Sequence, residues 1–145
     1  MTKTPASVAA LLKDRQSRTH TMTSTVLIVE DDEILRSLTV DAISLLDLEM
    51  VDCASADDAL FVLEDHVLED HPSIALVITD ICMPGSMDGL ELEKVIWTRW
   101  PRLPVILTSG DRTVPVGLLP AHAMFMRKPW SLDALDQAVR AYLPV

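Results

Sequence analysis

Residues 25–32 read TVLIVEDD, a run of aliphatic and β-branched residues followed by three acids. The run Thr25 to Val29 shows no alternation with polar residues, which is typical of a strand that is buried on both faces of a sheet. Glu30, Asp31 and Asp32 follow at the point where this strand is expected to end. In parallel sheets, binding sites form just beyond the carboxyl ends of the strands. The stretch therefore predicts a parallel sheet with an acidic site along one edge.

Strand-like runs and helical patterns alternate along the rest of the chain. Apolar residues recur at helical spacing after most of the predicted strands, and Ser55 and Ser131 are placed to cap two of the helices. This alternation predicts an α/β fold, with a doubly wound parallel sheet and helices on both of its faces. The five predicted strands are Thr25 to Val29, Glu49 to Cys53, Ile74 to Thr79, Val105 to Thr108 and Met124 to Met126.

The composition is that of one folded domain with an apolar core. Among the 145 residues, 49% are hydrophobic and 23% are charged, which is enough apolar material to bury a core. The formal net charge of −10 argues against a general nucleic-acid surface, so direct DNA binding is not expected. Two cysteines, Cys53 and Cys82, favour a reducing compartment over a disulfide scaffold. No apolar stretch is long enough to span a membrane, so we expect a cytoplasmic protein.

The chain is expected to divide into a tail and one domain. Residues 1–24 are polar and rich in Ser and Thr, and we interpret them as a mobile N-terminal tail. Residues 25–145 then form the domain. Because the sequence ends soon after the last helical pattern, no attached output domain is expected.

Acidic, hydroxyl and ammonium side chains follow four of the predicted strands. Asp80 follows the third strand, Ser109 the fourth and Lys128 the fifth, in addition to the acids after the first. Taken singly, each has a simpler interpretation as a helix start, a turn residue, a cap or a surface charge. Together, converging carboxylates favour a hard divalent cation such as Mg²⁺. Asp80 is then suited to attack phosphorus, with Lys128 offsetting charge and Ser109 donating a hydrogen bond.

Five motifs in this order resemble the receiver domain of two-component response regulators, of the stand-alone, single-domain type. The likeness spans about Thr25 to Tyr142 and implies a flavodoxin-like fold with strand order 2-1-3-4-5. The motifs are VLIVEDD (26–32), VITDICMPG (77–85), MDGLEL (87–92), PVILTSG (104–110) and FMRKPWSLDAL (125–135).

The resemblance implies a role for each residue that matches the family pattern. Magnesium is expected at Glu30, Asp31, Asp80 and the backbone carbonyl of Cys82. The phosphoacceptor is expected at Asp80, the switch hydroxyl at Ser109, the phosphoryl-binding lysine at Lys128 and the switch aromatic at Phe125.

The function that follows is a phosphoacceptor in signal transduction and not an enzyme with turnover. The expected partners are a sensor histidine kinase or phosphotransfer protein and an unknown downstream protein target. A phosphorelay shuttle or a phosphate sink is an alternative with the same chemistry. An aspartyl-phosphate phosphatase is disfavoured, because such enzymes commonly need a second acid at the position of Cys82.

Two stretches depart from the family pattern. The segment between Asp80 and Gly89 has one residue more than the commonest receiver spacing, which a loop absorbs easily. Between Gly110 and Lys128, Pro115, Gly117 and Pro120 disfavour a continuous helix. We therefore expect the helix of this segment to be short, broken or mobile.

Overall fold

A five-stranded parallel sheet forms the centre of the protein. The computed structural model describes residues 24–68, 74–110, 117 and 119–143. The strand order is β2-β1-β3-β4-β5, and every neighbouring pair is parallel, which confirms the predicted fold. Three of the predicted strands end one residue too early, before Asp80, before Ser109 and before Arg127. The strands are β1 (Thr25–Val29), β2 (Glu49–Cys53), β3 (Ile74–Asp80), β4 (Val105–Ser109) and β5 (Met124–Arg127).

The helices begin at capped positions. Asp58 donates its backbone N–H to Ser55 Oγ at 3.1 Å, and Ala134 donates to Ser131 Oγ at 3.0 Å, as the capping pattern predicts. Asp88 and Glu91 form a reciprocal capping box. No helix in the described part of the chain is long and apolar enough to cross a bilayer. The helices are α1 (Glu33–Ser44), α2 (Ala56–Leu68), α3 (Gly89–Arg99) and α4 (Leu132–Arg140).

Alternate residues of β1 divide the core into two halves. Leu27 lies in a cluster with residues of α2 and α3, whereas Ile28 lies in a cluster with residues of α1 and α4. Successive strand residues point to opposite faces, so a strand without polar alternation needs helices on both sides. The predicted tail lies outside the described residues apart from Ser24, and so does most of the segment expected to carry a broken helix.

Backbone hydrogen bonds extend beyond the strands and tie the loops of one sheet edge together. Ile81 donates to the Thr108 carbonyl at 2.9 Å, and Lys128 donates to the Ser109 carbonyl at 2.9 Å. Glu30 donates to the Cys53 carbonyl at 3.1 Å. These bonds fix how far each loop residue stands above the sheet. Side chains from different strands are thereby held at one level along the carboxyl edge.

Gly89 allows α3 to begin directly against the end of β3. Its N–H donates to the Ile81 carbonyl at 2.9 Å. A Cβ at this position would lie 2.0 Å from the Asp80 carbonyl oxygen, which no side chain can accommodate without a backbone shift. A glycine is therefore required for this close approach.

We expect Gly89→Ala to lower the free energy of unfolding by about 1–3 kcal/mol, because the backbone of Asp80 must move to admit the methyl group. Urea denaturation measures the loss. Gly110→Ala is the matched control, since its Cβ would lie 3.7 Å from the nearest neighbour, Lys128 Cβ. Equal stability of the two variants would contradict the assignment of Gly89 as the residue that permits this packing.

Candidate functional site

Asp80 is a nearly buried carboxylate at the end of the central strand. It is the last residue of β3 and is 7% exposed. Lys128 Nζ lies 3.4 Å from its Oδ1. The pKa of Asp80 is raised from 3.8 to about 6, first by burial and then by the charge of Glu30, whereas Lys128 acts in the opposite direction. The sheet therefore presents a poorly hydrated carboxyl group beside one cation.

Glu30 binds the same ammonium group more closely. Lys128 Nζ lies 2.5 Å from Glu30 Oε1, and the backbone N–H of Asp32 donates to Glu30 Oε2 at 3.2 Å. Burial lowers the pKa of Lys128, but the hydrogen bond to Glu30 and the charge of Asp80 together raise it above its usual value. The lysine is therefore held in its charged form between two acids that come from different strands.

Three carboxylates meet closely enough to hold a metal ion. One oxygen each from Glu30, Asp31 and Asp80 lie within 4.8 Å of one another. Such an all-oxygen set suits a hard divalent cation. Asp32, the third acid of the run, accepts a hydrogen bond from the backbone N–H of Leu35 at 3.0 Å and caps α1. The helix-start interpretation of the three acids therefore applies to Asp32, while the other two lie at the cluster.

The remaining predicted site residues lie on β4, on β5 and in the loop after β3. Ser109 is buried at the end of β4, next to Arg127 of β5 in the register. Phe125 is half-buried in β5, and the Arg127 guanidinium lies 5.5 Å from the centre of its ring. Cys82 is exposed in the loop that follows Asp80. The structure thus gathers Glu30, Asp31, Asp80 and Lys128 at one point, and it places Ser109 at the same edge.

The second cysteine has a different environment. Cys53 ends β2 and is partly buried, and its Sγ lies 3.7 Å from the Ser55 carbonyl oxygen. Burial raises the pKa of the Cys53 thiol to about 11, with the charges of Asp58 and Asp52 adding to the effect. This thiol is therefore protonated at neutral pH.

Arg36 supports the acidic cluster and was not predicted from the sequence. Its Nη1 donates to the Glu30 carbonyl at 3.0 Å, and its Nε donates to Asp52 Oδ2 at 3.1 Å. It therefore links the carboxyl ends of β1 and β2. The sequence did contain a signal for this role. Arg36 comes one helical turn after the capping residue Asp32, and helical side chains lean toward the helix N-terminus, which here adjoins the acids.

Comparison with protein families and curated proteins gives a consistent assignment. The family model of the response regulator receiver domain matches residues 26–140. The response regulator protein FleR of Pseudomonas aeruginosa is 39% identical over 118 residues, which cover 79% of this chain and 23% of FleR. The C4-dicarboxylate transport transcriptional regulatory protein DctD of the same organism is 35% identical over 83% of this chain and 25% of that protein. The chain thus spans about a quarter of these relatives.

Solved structures show the same architecture. The receiver domain of NtrX from Brucella abortus is 30% identical, with a TM-score of 0.72, and the match covers 81% of this chain and 97% of that one. A response regulator receiver protein from Sinorhizobium medicae WSM419 has a TM-score of 0.73 at 21% identity, over 83% of this chain and 94% of that one. This second likeness concerns the fold alone.

In metal-free protein at about pH 7.5, we expect Asp80→Asn to raise the free energy of unfolding by on the order of 1–3 kcal/mol. The folded state holds the Asp80 proton more tightly than the unfolded chain. The contribution of Asp80 to the free energy of unfolding therefore falls as pH rises from about 4 to about 6. Asparagine cannot ionise and avoids this loss. Urea denaturation in the presence of a chelator, repeated across that pH range, measures the gap in free energy of unfolding between the unsubstituted protein and the Asp80→Asn variant. A gap that does not widen with pH would contradict the raised pKa.

Proposed function

The chain belongs to the response regulator receiver family, and on this basis we propose that it accepts a phosphoryl group on Asp80 in two-component signal transduction in the cytoplasm. The donor is the phosphohistidine of a sensor histidine kinase or of a phosphotransfer protein. One observation carries the proposal. Oδ1 of the buried Asp80 lies 3.4 Å from Lys128 Nζ, and one oxygen each of Asp80, Glu30 and Asp31 lie within 4.8 Å of one another.

Asp80 is the nucleophile. One carboxylate oxygen forms a bond to phosphorus while the phosphorus–nitrogen bond of the phosphohistidine breaks. The imidazole leaves with the electron pair of that bond and is neutral, because its other ring nitrogen carries a proton. With a pKa of about 6, Asp80 is mainly ionised at neutral pH, so the reactive form is present. The product is an acyl phosphate that adds negative charge at the end of β3.

Lys128 and Ser109 act on the phosphoryl oxygens. Lys128 already lies beside Asp80 and is charged, so it can offset the negative charge that develops during transfer. Ser109 ends the neighbouring strand β4, where its hydroxyl can donate a hydrogen bond to a phosphoryl oxygen. That bond would draw β4 toward the acceptor, and Phe125 on β5 is the neighbouring side chain expected to respond.

Mg²⁺ is the cation that fits the acidic cluster. Carboxylates and a carbonyl are the ligands it prefers, and the charge of Glu30 already opposes ionisation of Asp80. Glu30, Asp31, Asp80 and the backbone carbonyl of Cys82 would hold the ion. When bound, Mg²⁺ supplies positive charge to the transferring oxygens.

An apolar groove beside the acceptor fits the donor protein. The groove has a volume of about 770 Å³ and runs between α1 and the segment 128–132. Leu35, Leu38, Leu45, Trp130 and Leu132 line it. Leu38 is 56% exposed and Leu45 is 74% exposed, so the face is incompletely covered in the part of the chain that the structure describes.

The groove opens onto the reacting groups. Glu30 and Lys128 belong to the acidic site and, with Thr108, also line the groove, so a protein that brings a phosphohistidine to Asp80 would lie against this face. The groove is therefore assigned to the phosphodonor. The apolar face of a donor helix is suited to filling it.

The chemistry serves signalling and not catalytic turnover. Cys82 occupies the position where aspartyl-phosphate phosphatases commonly carry a general acid, and it lacks a carboxyl group. Onward transfer of the phosphoryl group, storage as a phosphate sink and binding of a downstream protein all follow from the same acceptor.

Incubation with Mg²⁺ and a small-molecule phosphodonor is expected to add one phosphoryl group to the protein, detected by intact mass. Asp80→Asn is expected to add none, because the nucleophilic oxygen is gone. Omission of Mg²⁺ is expected to slow the reaction at least about tenfold, since Lys128 alone must then offset the charge. Phosphorylation of the Asp80→Asn variant would identify a different acceptor.

Leu38→Asp is expected to slow phosphoryl transfer from a protein donor at least about tenfold, because a charge in the groove must be desolvated on docking. The rate with a small-molecule donor is expected to stay unchanged. Phe61→Asp is the matched control, since Phe61 is 71% exposed on α2, on the other face of the sheet. Equal effects of the two substitutions would show that the groove is not the docking surface for the donor. The proposed chemistry at Asp80 would be unaffected by that result.

A further inference from the structure

Glu93 is a buried carboxylate that the phosphoryl chemistry does not use. It is 1% exposed on the face of α3 that also buries Leu92 and Ile96. Its Oε2 pairs with His122 Nε2. Its Oε1 accepts no hydrogen bond from any residue that the structure describes. A buried carboxylate oxygen without a donor is unfavourable, so this position favours an additional N–H group.

His122 shows which kind of group the carboxylate accepts. Its imidazole stacks on the indole of Trp97, with ring centres 3.9 Å apart and an angle of 17° between the planes. The present partner of Glu93 is thus a flat ring that presents a nitrogen to the carboxylate and a face to the indole. Because only one ring nitrogen is directed at the carboxylate, only Oε2 is satisfied.

A cavity of about 500 Å³ lies at this position. Glu93, Trp97, His122 and Tyr142 line it, and Trp97 and Tyr142 are 48% and 37% exposed. Ala75 and Val105 place it at the amino ends of β3 and β4. Asp80 lies five residue steps after Ala75 along β3, or about 16 Å, so this cavity is distinct from the acceptor edge.

We propose that this cavity is a binding site for a guanidinium group. A guanidinium ion presents two parallel N–H donors, which match both oxygens of one carboxylate, whereas the imidazole satisfies only one. Its flat cationic face also suits stacking on the Trp97 indole. A primary ammonium lacks that face, and the charge of Glu93 disfavours anions. Arg102 also lines the cavity but is exposed, so solvent screens its charge.

Binding requires that His122 give way. Glu93 Oε1 is buried, and the His122 side chain is 31% exposed. A partly exposed ring can turn away without unpacking the core, and the ligand then takes its place between Trp97 and Glu93. The imidazole is therefore an internal competitor for the site, so removing it strengthens binding.

Arginine amide is the probe, and ¹H–¹⁵N NMR of the Trp97 indole is the readout. We expect saturable shifts with a dissociation constant of about a millimolar, as suits a small ligand held by one ion pair and one stacked ring. Citrulline amide is the matched neutral ligand, of nearly the same shape, and is expected to bind at least about tenfold more weakly. Equal binding of the two amides would overturn the proposal.

Three variants complete the test, and their spectra also report whether each is folded. Glu93→Gln is expected to weaken binding of arginine amide at least about tenfold, and His122→Ala to tighten it about threefold or more. Asp133→Asn removes a charge from an exposed position on α4 and is expected to change nothing. If Glu93→Gln does not fold, the His122→Ala variant provides the test. The proposal is overturned if neither His122→Ala nor the unsubstituted protein shows saturable shifts with arginine amide.

The source of the guanidinium group is tested by a capped tripeptide with a central arginine. Tighter binding of the tripeptide than of arginine amide assigns the site to an arginine of a protein partner. Tighter binding of the free amide assigns it to a small guanidino compound. Both results support the site, and both are independent of phosphorylation at Asp80.

Discussion

The acidic cluster at the carboxyl edge of the sheet depends on one interaction, the placement of the Lys128 ammonium group between two buried acids. Lys128 comes from the end of β5, Glu30 from the end of β1 and Asp80 from the end of β3. Without the lysine, two carboxylates would face each other in a poorly hydrated position, which is electrostatically unfavourable. The strand register that brings these three ends level is therefore also the condition for charge balance. Fold and chemistry are coupled here because neither acid can be buried unless the sheet forms in this order.

The sequence allowed most of the sheet and the four-residue cluster to be predicted, because both depend on local patterns. Apolar runs identified all five strands, and the position of polar residues after those runs indicated Asp80 and Lys128. The local pattern ends β3, β4 and β5 one residue early, because Asp80, Ser109 and Arg127 are polar residues that continue the hydrogen-bonded ladder. The rule that strands end where apolar residues end fails at these positions, and at Asp80 and Ser109 the polar side chain is also buried.

Contacts between residues that are far apart in the sequence could not be predicted from local sequence patterns. Arg36 binds the carbonyl of Glu30, just after β1, and a carboxylate on β2, and nothing in the local pattern specifies those partners. Glu93 lies at helical spacing from Gly89 among apolar residues, which could have indicated a buried acid, but its partner His122 is 29 residues away. The Asp80 site and the Glu93 site lie at opposite ends of β3. Among the described residues, the sheet and α3 connect them, so binding at one site can affect the other through these elements.

The unequal environments of the two thiols make the native chain suited to site-selective chemistry. Cys53 is partly buried and has a raised pKa, so it is protonated near neutrality and is a poor nucleophile toward alkylating reagents. Cys82 is exposed, two residues after Asp80. A maleimide dye or a nitroxide therefore attaches at one place without any engineered cysteine. Such a label would stand beside the acceptor loop and report its motion by fluorescence or electron paramagnetic resonance.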